Sequence, residues 1–225
     1  MIIKTFIEPP IDNNNYLIID ESTREAALID CSSIDIWEKI PYTTGDVAAT
    51  TAGENRQKFE NVTLKYILLT HGHFDHIAGI KPVSLPVFNE NGHPKVHLHK
   101  ADFDLVNKVN DYMPMMGMQE ISIPQIDIFI NDNDKIMLGN TEIQVIHTPG
   151  HTQGGVCYYT DKVLFSGDTL FKESVGRCDL PGGNFEQIIS SIKNKIFSLP
   201  NDTTVYPGHG KPTTIGWEKE NNSYI

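Results

Sequence analysis

The six residues His71-Gly72-His73-Phe74-Asp75-His76 constrain this chain more than any other stretch. They gather three imidazoles and a carboxylate into six positions. Leu64-Lys65-Tyr66-Ile67-Leu68-Leu69-Thr70 precedes them, apolar and rich in strand formers, and reads as a buried strand. Ile77-Ala78-Gly79-Ile80 follows and reads as the opening turn of a helix. The cluster thus falls at the carboxyl end of a strand, where α/β proteins place ligand sites. A lone histidine there is an ordinary polar residue. Three with an aspartate are transition-metal ligands, so the stretch is read as metal-binding.

With 225 residues the chain can build one large core, and one domain over 1–225 is expected. No run approaches the roughly 18 apolar residues of a membrane span, and Met1-Ile2-Ile3-Lys4 lacks a signal-peptide pattern. The expected location is cytoplasmic, with no membrane partner. A net charge of -11 argues against nucleic acid, because no basic stripe is present to neutralise phosphates. Cys31, Cys157 and Cys178 form no C-x-x-C pair, and their odd number suits a reducing compartment.

Strands are expected at 2–7, 16–20 and 26–30, with a turn over 9–15 where Asn and Asp tolerate left-handed backbone. Residues 31–63 are the least readable; Ser33 would cap a short helix holding Trp37 and Ile40 and stopped by Pro41. A short edge element is expected at 86–88, a strand at 95–98 and a helix at 101–110 with Asp102 and Asp104 near its start. His93, His97 and His99 are read as strand-face or exposed residues rather than ligands. Met113-Pro114-Met115-Met116-Gly117-Met118 holds four of the six methionines. Such a segment suits a loop plugging a gap over the core, or a surface that adapts to a ligand. A hairpin is expected over 135–138 and 141–146, turned at Gly139-Asn140, and an amphipathic helix over 185–197.

Three further strands end in metal-type residues. Strand 141–146 runs into His147-Thr148-Pro149-Gly150-His151-Thr152, strand 162–165 into Ser166-Gly167-Asp168-Thr169, and strand 204–206 into Pro207-Gly208-His209-Gly210. Glycine beside each lets backbone approach a small site closely. Together the strand ends offer five imidazoles and two carboxylates, the chemistry of two adjacent cations.

The order H-x-H-x-D-H, T-P-G-H-T, S-G-D-T and P-G-H-G resembles the metallo-β-lactamase superfamily over nearly the whole chain. The resemblance implies an α/β fold (α+β in some schemes): a four-layer αβ/βα sandwich of two mixed sheets flanked by helices. It implies that His71, His73 and His151 hold one metal, that Asp75, His76 and His209 hold a second, and that Asp168 bridges them. Two divalent ions are implied, zinc first, with iron or manganese also accepted by such donors. The stretch from Gly167-Asp168-Thr169-Leu170-Phe171 through Gly176-Arg177-Cys178-Asp179 resembles short type II glyoxalases without their carboxyl-terminal helical domain. Arg177 falls where that family meets the thiol carrier. Asp179 stands where the family often has an aromatic residue.

The implied activity is hydrolysis of a small acyl thioester such as S-lactoylglutathione by a metal-bridged hydroxide, with Asp75 and Asp168 as catalytic carboxylates. Arg177, Phe171 and Tyr158 are expected to line the substrate groove. The alternative is a mononuclear non-haem iron persulfide dioxygenase of the same fold, with His71, His151 and Asp168 as its triad. A third reading is a metal-stabilised binding module, but structural zinc sites are usually closed and thiolate-rich, the opposite pattern.

Overall fold

The structure, a computed structural model, describes residues 1–9, 11–40, 43–44, 47–48, 62–80, 93–114 and 117–225. The strand Tyr16-Leu17-Ile18-Ile19 is buried at every position, so both faces of its sheet need cover. That demand produces the layers.

The first sheet comprises β1 (Ile2–Glu8), β2 (Asn13–Ile19), β3 (Glu25–Ile29), β4 (Thr43–Thr44), β5 (Val47–Ala48), β6 (Thr63–Leu68), β7 (Lys95–His99) and β8 (Ile128–Ile130). β1, β2 and β3 form an antiparallel meander, and β3, β6, β7 and β8 run parallel. The second sheet comprises β9 (Lys135–Leu138), β10 (Thr141–His147), β11 (Val156–Thr160) and β12 (Val163–Gly167). After the small hairpin β13 (Leu170–Phe171) and β14 (Ser174–Val175), β15 (Thr204–Pro207) and β16 (Thr213–Thr214) complete it.

Tyr16, Ile18 and Ile29 from the first sheet meet Val145, Val156, Tyr158 and Phe165 from the second in the inter-sheet core. The helices α1 (Ile36–Lys39), α2 (Phe74–Ile77), α3 (Phe103–Asn107) and α4 (Val109–Tyr112) follow first-sheet strands. From them Trp37, Ile77, Val106 and Val109 cover Leu17, Leu28 and Ile67 on that sheet's outer face. Helix α5 (Phe185–Asn194) lays Ile188 and Ile192 on Ile146, Leu164 and Val205, joined by Ile215 of α6 (Ile215–Asn221). The result is the expected αβ/βα sandwich of two mixed sheets. Among the described residues no helix is long and apolar enough to cross a membrane.

Several local expectations are corrected. Asn13, Asn14 and Asn15 lie inside β2 and are buried, not in a turn. Their side chains supply the bonds a turn would otherwise make: Asn14 donates to the carbonyls of Pro207 and Gly210, and Asn15 to Ser32. The helix after the His-rich stretch does not begin at Ile77; α2 ends there, so Asp75 and His76 are themselves helical. Gly79 donates to the Cys31 carbonyl at 2.8 Å, and a Cβ on it would stand 2.3 Å from the Ser33 carbonyl. That close crossing turns the chain away.

The helix expected at 101–110 is a 3-10 turn, Lys100–Asp102, followed by α3 and α4, which are separated at Lys108. The helix expected at 185–197 is α5 plus a 3-10 turn, Ile196–Ser198. Pro41, the polar stretch 49–58, the element at 86–88 and Met115–Met116 lie outside the described residues.

Candidate metal centre

Four strands deliver the metal-type side chains to one rim of the sandwich. The loop and helix after β6 carry His71, His73, Asp75 and His76; the loops after β10, β12 and β15 carry His151, Asp168 and His209. The structure brings all seven together.

Nε2 of His71, Nδ1 of His73 and Nε2 of His151 form a triangle with edges of 3.1, 2.9 and 3.2 Å. Asp75 Oδ2 lies 3.5 Å from His76 Nε2 and 3.3 Å from His209 Nε2. Asp168 stands between the groups, its Oδ1 3.4 Å from His76 Nε2 and its Oδ2 3.6 Å from His151 Nε2 and 3.7 Å from His209 Nε2.

The outward nitrogens settle where the lone pairs point. His151 Nδ1 donates to the Arg177 carbonyl at 2.7 Å and His209 Nδ1 to the Ile11 carbonyl at 3.2 Å. His76 Nδ1 donates to Asp30 Oδ2 at 2.7 Å. His71 Nδ1 meets Thr70 Oγ1, whose own proton goes to Asp30. Each Nε2 is therefore left as an acceptor turned inward, the tautomer a cation requires.

Electrostatics divide the rings: His71 and His73 are held neutral, whereas the carboxylates around His76 favour its charged form. Burial, then the neighbouring imidazoles His76 and His151, holds His71 well below its usual pKa. Burial and His151 bring His73 down to about 4. Burial opposes charge on His76, yet Asp30, Asp75 and Asp168 hold its pKa well above the usual value. Asp168 is penalised by burial, but His76, His151 and His209 keep it below the usual carboxylate range.

These residues fit a bound cation. Three nitrogens in a triangle cannot close three hydrogen bonds, because each pair needs one donor and one acceptor. Ligands about 2.0–2.1 Å from a tetrahedral zinc stand about 3.3 Å apart, close to the observed edges. Asp168 Oδ1 is buried with no hydrogen-bond partner among the described residues, the signature of an acceptor meant for something else.

The expected substrate residues fare differently. Phe171 lies at the rim, its ring centroid 6.2 Å from that of His209. Arg177 is exposed and forms a two-pronged ion pair with Asp179, both bonds at 2.7 Å. Tyr158 does not line a groove. It alternates with Cys157 along β11 and so faces the inter-sheet core, fully buried, donating to the Leu69 carbonyl at 2.7 Å. His97 is buried against Tyr66, and His99 stacks on His147 at 4.1 Å; neither joins the centre.

Sequence reading missed three supports. Asp30 follows β3 and takes the Thr70 amide at 2.8 Å as well as His76. Its signal was present, a carboxylate at a strand end like Asp168. Buried Asp102 accepts from the Gly72 amide at 2.9 Å, the Thr152 hydroxyl at 2.8 Å and the Gly154 amide at 2.6 Å, tying two ligand loops together. Burial raises its pKa against those bonds. The Asn13 side-chain nitrogen lies 3.0 Å from His76 Nε2. Nothing local marked either residue.

Residues 9–209 match the family model of the metallo-beta-lactamase superfamily, and the chain belongs to that family. Its members bind divalent metals. The chain is 33% identical over 172 residues to hydroxyacylglutathione hydrolase GloC of Haemophilus influenzae, covering 73% of this chain and 77% of that protein. Two solved structures superpose over 99% of this chain. BLEG-1, a B3 metallo-beta-lactamase, has 32% identity, a TM-score of 0.79 and 99% of its own chain covered. ETHE1 from Myxococcus xanthus has 27% identity, a TM-score of 0.72 and 84% covered.

Proposed function

We propose that this protein is a metal-dependent hydrolase of small acyl thioesters. The observation that carries the reading is Asp168, set between a three-histidine group and an Asp75–His76–His209 group. In this reading His71, His73 and His151 hold one divalent ion, Asp75, His76 and His209 a second, and Asp168 both. Two such ions would bring a shared water's pKa from 15.7 toward about 7 and polarise the thioester carbonyl. Zinc suits the donors, as do iron and manganese.

The chain's own part is orientation. Asp30, Thr70 and the Arg177 and Ile11 carbonyls fix the four rings, so that the lone pairs converge without rearrangement. Asp75 and Asp168 would orient the attacking water. A thiolate, with a conjugate-acid pKa near about 8.5, leaves without a general acid, which suits a site whose carboxyl groups face imidazoles. The GloC relative supports this substrate class. The partner is accordingly a small-molecule thioester.

A second reading, iron-dependent persulfide oxidation, draws on the ETHE1 likeness and on the proximity of His71, His151 and Asp168. One experiment separates them: elemental analysis of protein purified without added metal, with S-lactoylglutathione, glutathione persulfide and a chromogenic cephalosporin as substrates. About two divalent ions per chain with thioester turnover is the expected result. One iron per chain with oxygen uptake on the persulfide would overturn it, as would turnover of the cephalosporin alone.

A further inference from the structure

A cavity of about 290 Å³ adjoins the candidate centre, with Asp75 in its wall. Ile11, Phe74, Met113, Met118 and Ile121 make the rest of that wall largely apolar. Two methionines in such a wall accommodate ligands of varied shape, because the thioether chain repacks easily.

Besides Asp75, the polar residues Glu8, Asn13, Ser32 and Gln119 interrupt the apolar lining. The Glu8 side chain is wholly buried. Its Oε1 takes the Lys39 ammonium at 2.6 Å, while Oε2 is buried with no partner among the described residues. An unmet buried carboxylate oxygen is costly, and a native structure that keeps one calls for an occupant.

We propose that the cavity takes the acyl arm of the substrate, an apolar chain whose far end carries a hydroxyl or amide N–H that donates to Glu8 Oε2. The inference rests on the thioester reading above. At about 30 Å³ for each water-sized group, the space holds about ten non-hydrogen atoms, an acyl chain of medium length. A peptide thiol carrier is larger than this, and its carboxylates would face Glu8 and Asp75, so the carrier belongs outside. The acyl arm goes in, the carrier stays at the rim, and the carbonyl between them lies beside the metal ligands.

The test uses thioesters of N-acetylcysteamine from acetyl to dodecanoyl, with 8-hydroxyoctanoyl added, on the protein as purified. Binding of the matching non-hydrolysable methylene ketones is read by calorimetry, so that affinity is measured apart from turnover. The expected result is a gain in kcat/KM of about two- to fourfold per added methylene up to octanoyl, a fall at dodecanoyl, and a further gain for 8-hydroxyoctanoyl. The ketones follow the same order. Glu8→Leu abolishes the hydroxyl preference in both readouts. Ile11→Trp, at a position 44% exposed and so tolerant of change, lowers the octanoyl-to-acetyl ratio by about tenfold or more.

A flat chain-length profile, a hydroxyl preference that survives Glu8→Leu, or a ratio unmoved by Ile11→Trp would overturn the proposal. So would a length dependence that follows the thiol instead of the acyl group. Ketones that bind in the expected order to a protein that turns over no thioester would support the cavity's ligand class while removing the thioesterase reading itself.

Discussion

Asp30 Oδ2 stands 2.7 Å from Nδ1 of His76, and the same carboxylate takes both the amide and the hydroxyl of Thr70. One buried side chain thereby aims His76 directly and His71 through Thr70. Asp30→Asn keeps the shape but trades an acceptor for a donor that faces His76 Nδ1–H. Metal affinity is expected to fall by about 10- to 100-fold, read by competition with a chromogenic chelator. Unchanged affinity would show that the rings are held by packing alone.

Asp102 is a second brace, between the loop of His71 and His73 and the loop of His151. Asp102→Ala leaves the Gly72 and Gly154 amides without their acceptor, at about 1–3 kcal/mol each in a buried setting. Urea unfolding should report a loss of that order, and the metal should bind more weakly because the two loops are no longer tied.

Gly208 separates fold from site. A Cβ there would stand 2.3 Å from Asp168 Oδ1 and 2.9 Å from His76 Cε1. Gly208→Ala is expected to keep the circular dichroism spectrum of the native chain and lose bound metal in elemental analysis.

Asp20 supplies the acid sensitivity. It accepts from Ser22, Thr23 and Thr141, and these bonds, Ser22 first, hold its carboxyl below the usual range. A depressed carboxylate adds stability above its unfolded value, about 3.9, and loses it as pH falls through the lower folded value. Asp20→Asn should therefore melt below the parent at pH 7, and the gap between the two melting temperatures should begin to narrow below about pH 4.

Thiol labelling should be selective. Cys31 and Cys157 are fully buried, and burial raises the Cys157 thiol to about 11. Cys178 is partly exposed, its thiol also raised by burial. Iodoacetamide at pH 7 should modify Cys178 alone, slowly, and all three only after unfolding; mass spectrometry of tryptic peptides reads the difference.

The seven metal-type residues were legible because each follows a strand whose apolar run is local information, and because a helix or strand period is written in its own neighbours. What escaped the reading depends on partners far along the chain. The asparagines of β2 look like turn formers until the carbonyls of Pro207 and Gly210 are seen to receive them. Asp102 resembles a helix-start residue until two loops are folded onto it. Tyr158 carries a polar tip that suggests a groove, yet the Leu69 carbonyl satisfies that tip inside the core. The helix at Phe74 ends at Ile77, just before Gly79 crosses Ser33, a contact no window of sequence contains.

The bonds from Asn14 to the Pro207 and Gly210 carbonyls span 193 and 196 residues. Closing so long a loop is paid in chain entropy before any contact returns it. During synthesis the His71 stretch leaves the ribosome long before His209, so the nascent chain carries exposed imidazoles with no completed cage around them. The Asp75–His76–His209 group exists only once residues 134 apart in sequence have met, so a chain cut short of His209 would carry the three-histidine group's donors without the second group's.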